Sequence, residues 1–303
     1  MKKKAKLINK VKHLLRKANA PRFLHHYGPK TYELWQHVFA LFVRECCQLS
    51  HRRTTQFLRD LGFTVATKST LQRYASKLSL PFWQTLLKGT IKRITSIGAI
   101  DGTGLERSKT SWHYINRVEG YQRRPGFYLS ILSTMNNKII SLRIRSKLSH
   151  DTKDVKYLWR NAPKKPKIIL MDKGYDAEWI HEFFEDQGVK SIAPLRKGAR
   201  RGFYRRKLMN NFPQKLYNKR SIVESTFHAL KQKFGANISS KLICSARTEV
   251  YCRAILHNIF LRIIQVLGQT RINHNLYIPL THTLEYMGLW SSGYDATSTW
   301  WIS

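Results

Sequence analysis

Ile168-Ile169-Leu170-Met171-Asp172 is an apolar run closed by a carboxylate, and Ile97-Gly98-Ala99-Ile100-Asp101 has the same form. Short apolar runs of this kind read as buried strands. Each therefore sets an aspartate at a strand end beside a core, where an unpaired carboxylate is costly unless a cation compensates it. Acids are scarce in this chain: 18 Asp+Glu stand against 54 Lys+Arg, a formal net charge of +36. A third acid, Glu224, follows in a helical segment. Two strand-end aspartates and one helix-borne glutamate can hold a pair of Mg²⁺ ions against a phosphodiester.

Outward from these runs the chain alternates. Strands are expected at residues 97–101, 127–134 and 139–147, with Asn136-Asn137 turning tightly between the last two because Asn tolerates positive φ. A polar helix over 154–160, a strand over 167–172, a helix over 177–186 and a strand over 191–195 follow. A basic loop then leads to a long helix over 219–234. Three consecutive strands and then alternating helix and strand imply an α/β fold, a mixed sheet with helices on its faces. Asp176 reads as the cap of the helix beginning at Ala177, and Asp151 and Asp154 as helix-start residues.

The first 90 residues have a different texture. Ten Lys or Arg precede the first acid, Glu33, and Leu7, Ile8, Val11, Leu14, Leu15 and Ala18 repeat at helical spacing. This is a basic amphipathic helix, without the apolar core or cleavage site of a secretory signal. Residues 31–90 read as helical. Gly62 is a natural C-cap between a helix starting near Ser50 and another starting near Thr67. The pair is helix-turn-helix-like and exposes Lys68, Ser69, Gln72 and Arg73. A plain helical hairpin with a solvated polar face is the alternative. Pro81 and Gly89 mark the change to strands.

The positive surplus points to a polyanion, and nucleic acid is the commonest. No segment supports a membrane: the most apolar one, residues 255–267, is interrupted by His257, Arg262 and Gln265. Cys46, Cys47, Cys244 and Cys252 lack metal-ligand spacing and read as reduced thiols of a cytosolic protein. From Arg196 to Lys207, seven positive charges fall within twelve residues, a density that repels itself unless a polyanion compensates it.

Around Glu224 lies Tyr217-x2-Arg220-x3-Glu224-x6-Lys231. At about 100° per residue, offsets of 0, 3, 7 and 14 fall at about 0°, −60°, −20° and −40°, so all four side chains share one stripe of a single helix. The bland alternatives for Glu224 are a capping box with Ser221 and an i,i+4 ion pair with Arg220.

Taken together, the order β-β-β-α-β-α-β-α and its acids resemble the ribonuclease-H-like catalytic core. The motifs resemble the DDE transposases of bacterial and archaeal insertion sequences. Ile100-Asp101-Gly102-Thr103 is similar to the first-aspartate motif, Met171-Asp172-Lys173-Gly174-Tyr175-Asp176 to the second, and the four-residue stripe to the Tyr-Arg-Glu-Lys signature. The resemblance spans residues 95–265. With 51 residues between Asp172 and Glu224, it is to the compact branch that lacks a β-rich insertion.

The resemblance implies a metal-dependent nuclease and strand transferase, with two Mg²⁺ (Mn²⁺ can substitute) held by Asp101, Asp172 and Glu224. Tyr217, Arg220 and Lys231 complete the catalytic set. Expected DNA contacts are Lys68, Ser69, Gln72, Arg73, Lys173, Arg200, Arg201, Arg205 and Arg206. The implied partners are double-stranded DNA, as terminal inverted repeats and target, and a second copy in a synaptic homodimer. The expected domains are a helical DNA-binding region over 1–90, a catalytic domain over 91–270 and a C-terminal tail over 271–303, in a cytoplasmic, nucleoid-associated protein. The main alternative is a DNA-binding regulator derived from a transposase that no longer transposes, and a ribonuclease-H-like nuclease without strand transfer is the third reading.

Overall fold

The structure, a computed structural model, describes residues 6–25, 27, 30–107, 126–147, 149–198 and 201–267. Arg200 and the tail over 271–303 lie outside the described residues. The chain divides into two compact units, Met1–Gln72 with Leu267–Ser303, and Arg73–Val266.

In the first unit, α1 (Lys6–Lys17) buries Leu7, Val11, Leu14 and Leu15, the stripe expected of it. α2 (Leu34–Cys46) is buried along most of its length. It opens with a reciprocal cap in which the Glu33 amide donates to Gln36 Oε1 at 2.7 Å. Ser50 caps α3 (His51–Asp60), accepting from the Arg53 amide at 3.3 Å. Gly62 ends that helix with φ +79°, its amide on Arg59 O at 2.8 Å, a left-handed stop that glycine makes without strain. α4 (Lys68–Lys77) follows and runs across the division into the second unit.

The second unit continues with α5 (Leu80–Thr90). Pro81 and Gly89 therefore lie inside a helix, capped by Ser79 on the Phe82 amide, and proline is tolerated there because it occupies the first turn. Then come β1 (Ile97–Arg107), β2 (Gly126–Thr134), β3 (Ile139–Arg145), α6 (Thr152–Asn161), β4 (Ile168–Met171), α7 (Glu178–Glu185) and β5 (Lys190–Ile192). α8 (Phe203–Asn210), α9 (Gln214–Tyr217), α10 (Ser221–Phe234), β6 (Asn237–Ile238) and α11 (Ile243–Leu267) complete it.

The sheet order is β3-β2-β1-β4-β5, with β6 added to the far end of β1. β1, β2 and β3 pair antiparallel, whereas β4 runs parallel to both β1 and β5. This is the mixed, helix-flanked, ribonuclease-H-like sheet that the sequence led us to expect. Ile100, Leu132, Ile140, Ile169 and Met171 pack in one cluster with Val155, Leu158 and Trp159 of α6 and Ile180 and Phe184 of α7. The intervening Ala99, Ile131 and Leu170 are equally buried, so both faces are covered. Gly98 permits this closeness, because a Cβ there would lie 2.8 Å from Pro166 Cγ. The β2–β3 turn places Asn137 at φ +57°, and its carbonyl accepts from His257 Nε2 of α11 at 2.8 Å.

Two expectations change. The basic stretch after β5 is not all loop: Phe203–Asn210 is helical, because Glu178 accepts from the Tyr204 and Arg205 amides at 2.9 and 3.3 Å and so caps α8 from outside. Asp176 does not cap α7. Ala177 occupies that position in extended conformation, with no side-chain cap bond.

Candidate active site

β1 and β4 are neighbours in parallel register, with Ile100 opposite Met171. Asp101 and Asp172 are the next residues, so the two aspartates lie side by side where β4 ends. β1 runs on to Arg107, held by β2 and β6, so Asp101 stands inside its strand rather than at the strand end expected of it. Asp101 is half-buried and Asp172 exposed. Glu224 reaches the same place from the first turn of α10 through Arg220, which donates to Asp101 Oδ2 at 3.2 Å and to Glu224 Oε1 at 2.5 Å. Asp101 Oδ1 also takes the Gly102 amide at 2.8 Å. Burial pushes the Asp101 carboxyl above its ordinary range. The Gly102 amide and Arg220 pull it down, and the Asp172 and Glu224 carboxylates push it further up. The three acids thus share one electrostatic neighbourhood around a guanidinium. Among the described residues no three His, Cys, Asp or Glu side chains stand ready as a metal-ligand group; Arg220 lies between two of the acids instead.

The rest of the signature gathers here, but not on one helix. Tyr217 ends α9, Asn218–Arg220 form a 3-10 turn, and α10 begins only at Ser221. Backbone angles across the junction stay near helical, Tyr217 at φ −61°, ψ −38° and Arg220 at φ −59°, ψ −29°, so the stripe survives the break. The Tyr217 ring centroid lies 6.0 Å from the Arg220 guanidinium. Lys231 donates to Thr103 Oγ1 of β1 at 2.8 Å. The capping box does not form, since Ser221 Oγ turns back to Asn218 O. The i,i+4 pair does.

Two further acids have other partners than helix caps. Asp154, in the first turn of α6, is fully buried and accepts from Ser130 Oγ at 2.6 Å, Arg143 Nη1 at 3.0 Å and Arg145 Nη2 at 2.9 Å. Asp176 is likewise buried and takes Arg205 Nε and Nη2 at 2.8 and 2.7 Å and the Arg196 amide at 2.7 Å. Burial alone would push its carboxyl up, but Arg205 and the Arg196 amide outweigh that and hold it below the usual carboxylate range. Asp154 does stand in its helix's first turn, as expected, but its partners on β2 and β3, like the Arg205 that holds Asp176, belong to other elements that local spacing does not reveal.

The expected DNA contacts separate accordingly. Lys68, Ser69, Gln72 and Arg73 are exposed on α4, and Lys173, Arg201 and Arg206 are exposed as well. Arg205 is committed to Asp176, which removes it from the free cations. Arg200 lies outside the described residues. All four cysteines are free thiols, and no described helix is long and apolar enough to cross a membrane.

A family model described as "Transposase DDE domain" matches residues 92–259, more than half of the chain. The chain belongs to the transposase DDE family. Members generally depend on a divalent metal, and the matched segment holds all three acids and the whole signature. Among solved structures, the chain resembles a cryo-EM structure of the piggyBac transposase synaptic complex with hairpin DNA. The TM-score is 0.53 at 10% identity, over 93% of this chain and 77% of that one, a likeness of fold. No curated protein matches the sequence. All three acids are oxygen donors, the type that a hard divalent cation takes, and the charges of Asp172 and Glu224 both act to raise the Asp101 carboxyl.

Proposed function

We propose that the protein is a transposase that cuts the ends of its mobile element and joins them to target DNA, of the compact insertion-sequence type. What supports this reading is a DDE domain in which Arg220 links Asp101 to Glu224 and the β1–β4 register brings Asp172 beside Asp101. Asp101, Asp172 and Glu224 would hold two Mg²⁺, with Mn²⁺ able to substitute; when bound, such ions supply the Lewis-acid charge that phosphodiester displacement needs. Arg220 and Lys231, on either side of Glu224, meet the phosphates. Tyr217 orients the strand against Arg220.

The chemistry is two displacements at phosphorus. Water attacks at the element end, the P–O3′ bond breaks, and a free 3′-OH is left opposite a 5′-phosphate. That 3′-OH then attacks a target phosphodiester and releases a target 3′-OH in its turn. No protein side chain is bonded to DNA at any stage, so Ser, Cys and Tyr nucleophiles have no part in it. Residues 1–90 supply DNA recognition through Lys68, Ser69, Gln72 and Arg73, residues 91–270 the chemistry, and two copies synapse the two ends. The protein acts on the nucleoid.

The test is incubation of the full chain with duplexes carrying the element's terminal repeats, supercoiled target and Mg²⁺. The reading requires new 3′-OH ends and their covalent transfer into the target. Tight binding of the same ends with neither product would mark a regulator derived from a transposase instead.

A further inference from the structure

Asp176 lies four residues beyond Asp172, and the segment between them is held from both sides. Lys173–Tyr175 form a single 3-10 turn with Asp172 as its N-terminal flank. The Tyr175 amide donates to Asp172 O at 2.9 Å and the Asp176 amide to Lys173 O at 3.2 Å. Arg196 then folds back over the turn: its Nη2 donates to Gly174 O at 2.8 Å and its Nε to Lys173 O at 3.4 Å. Its own amide is fixed on Asp176. Asp176 in turn holds the Arg205 fork, and the Glu178 carboxylate holds the start of the same helix, α8, through its amides. Gly202 admits that carboxylate, since a Cβ there would fall 2.2 Å from Glu178 Oε2. Three successive carbonyls, at 172, 173 and 174, thus accept donors, whereas the exposed Asp172 side chain accepts none among the described residues. The backbone that fixes the direction of its Cα–Cβ bond is therefore what restrains that carboxylate.

We propose that Asp176, clamped by Arg205 and Arg196, is a positioning residue that aims the Asp172 carboxylate. It touches neither DNA nor metal and acts through the turn. This rests on the reading of Asp172 as a metal ligand. The consequence differs between ions, because Mg²⁺ demands near-ideal octahedral geometry and tolerates a misaimed ligand poorly. Residues that orient metal ligands typically contribute about 10- to 100-fold in metal affinity or activity.

The experiment uses the full chain and three variants, Asp172→Asn, Asp176→Asn and Arg205→Lys. Mn²⁺ affinity is measured calorimetrically without DNA, cleavage of end duplexes is measured in Mg²⁺ and in Mn²⁺, and thermal melting is recorded. We expect Asp176→Asn to weaken Mn²⁺ binding by about 10- to 100-fold and to lose more cleavage in Mg²⁺ than in Mn²⁺. Arg205→Lys, which keeps the charge but not the fork, should fall between Asp176→Asn and the native protein. A lowered melting temperature with native Mn²⁺ affinity and an unchanged Mg²⁺:Mn²⁺ ratio would overturn the proposal. If Asp176→Asn does not fold, Arg205→Lys decides alone: a changed ratio supports the clamp and a native one refutes it. Loss of Mn²⁺ binding in Asp172→Asn beside native binding in Asp176→Asn would sink the clamp only. Native binding in Asp172→Asn would sink the metal-ligand reading with it.

Discussion

Asp154 and Asp101 stand in the same α/β unit and are treated in opposite ways. Asp154 is sealed from solvent and receives a hydroxyl and two guanidinium groups. Asp101 keeps a half-open carboxylate with its neighbour's amide, one 3.2 Å contact to Arg220, and two more acids close by. In a chain with three cations for every acid partners are not scarce, and under the proposed function the more open carboxylate is the one that would receive a metal ion. The sealed, multiply bonded acid serves the fold, and the proposed chemistry falls to the more open acids beside Arg220.

The largest effect should fall on the three acids beside Arg220. Asp101→Ala, Asp172→Ala and Glu224→Ala should each cut end cleavage by about 10³-fold or more, the scale of several kcal/mol of lost charge stabilisation. DNA affinity should hold or rise in gel shifts, because a negative charge is gone. An active Glu224→Ala protein would reduce that residue to the helical ion pair it makes with Arg220.

The sealed acid should answer in stability. Asp154→Ala strands Arg143 and Arg145, and breaking a buried pair costs about 3–5 kcal/mol, readable as a shift of the urea midpoint. A native midpoint would mean the network is ornamental and the comparison empty.

How much of this was readable in advance follows from the range of the interactions. Apolar runs ending in Asp101 and Asp172, the positive-φ turn at Asn137 and the stop at Gly62 are local, and the sequence shows them directly. β1 continues to Arg107, beyond the run that ends at Asp101. That extension, Gly102-Thr103-Gly104-Leu105-Glu106-Arg107, is held by pairing to β2 and β6 rather than by its own hydrophobicity. The 3-10 break at Asn218–Arg220 leaves the helical stripe intact and so leaves no trace in the periodicity. Asp176 was unreadable for another reason: the Arg205 that binds it is 29 residues away, and spacing alone favoured a cap.

The cations repeat the contrast at smaller amplitude. Charge reversal at the exposed Arg201 and Arg206 should weaken binding to all duplexes alike. It should also shrink the logarithmic salt slope by about 1 for each phosphate no longer neutralised. Reversal at Arg205 should act through stability instead, since its partner is buried Asp176. A change of sequence preference from Arg201 and Arg206 would make this segment a base reader. The smallest effect sharpens the comparison most cheaply: Asp172→Asn, exposed, should move the urea midpoint by no more than about 0.5 kcal/mol equivalent.

The most direct measurement is anomalous diffraction from crystals of the full chain with Mn²⁺ and end DNA. We predict two peaks about 3.5–4 Å apart among the carboxylates of Asp101, Asp172 and Glu224, with Arg220 withdrawn from Asp101 toward a phosphate. Arg220 still bridging Asp101 and Glu224, with no Mn²⁺ peak beside them while DNA is bound, would contradict the account.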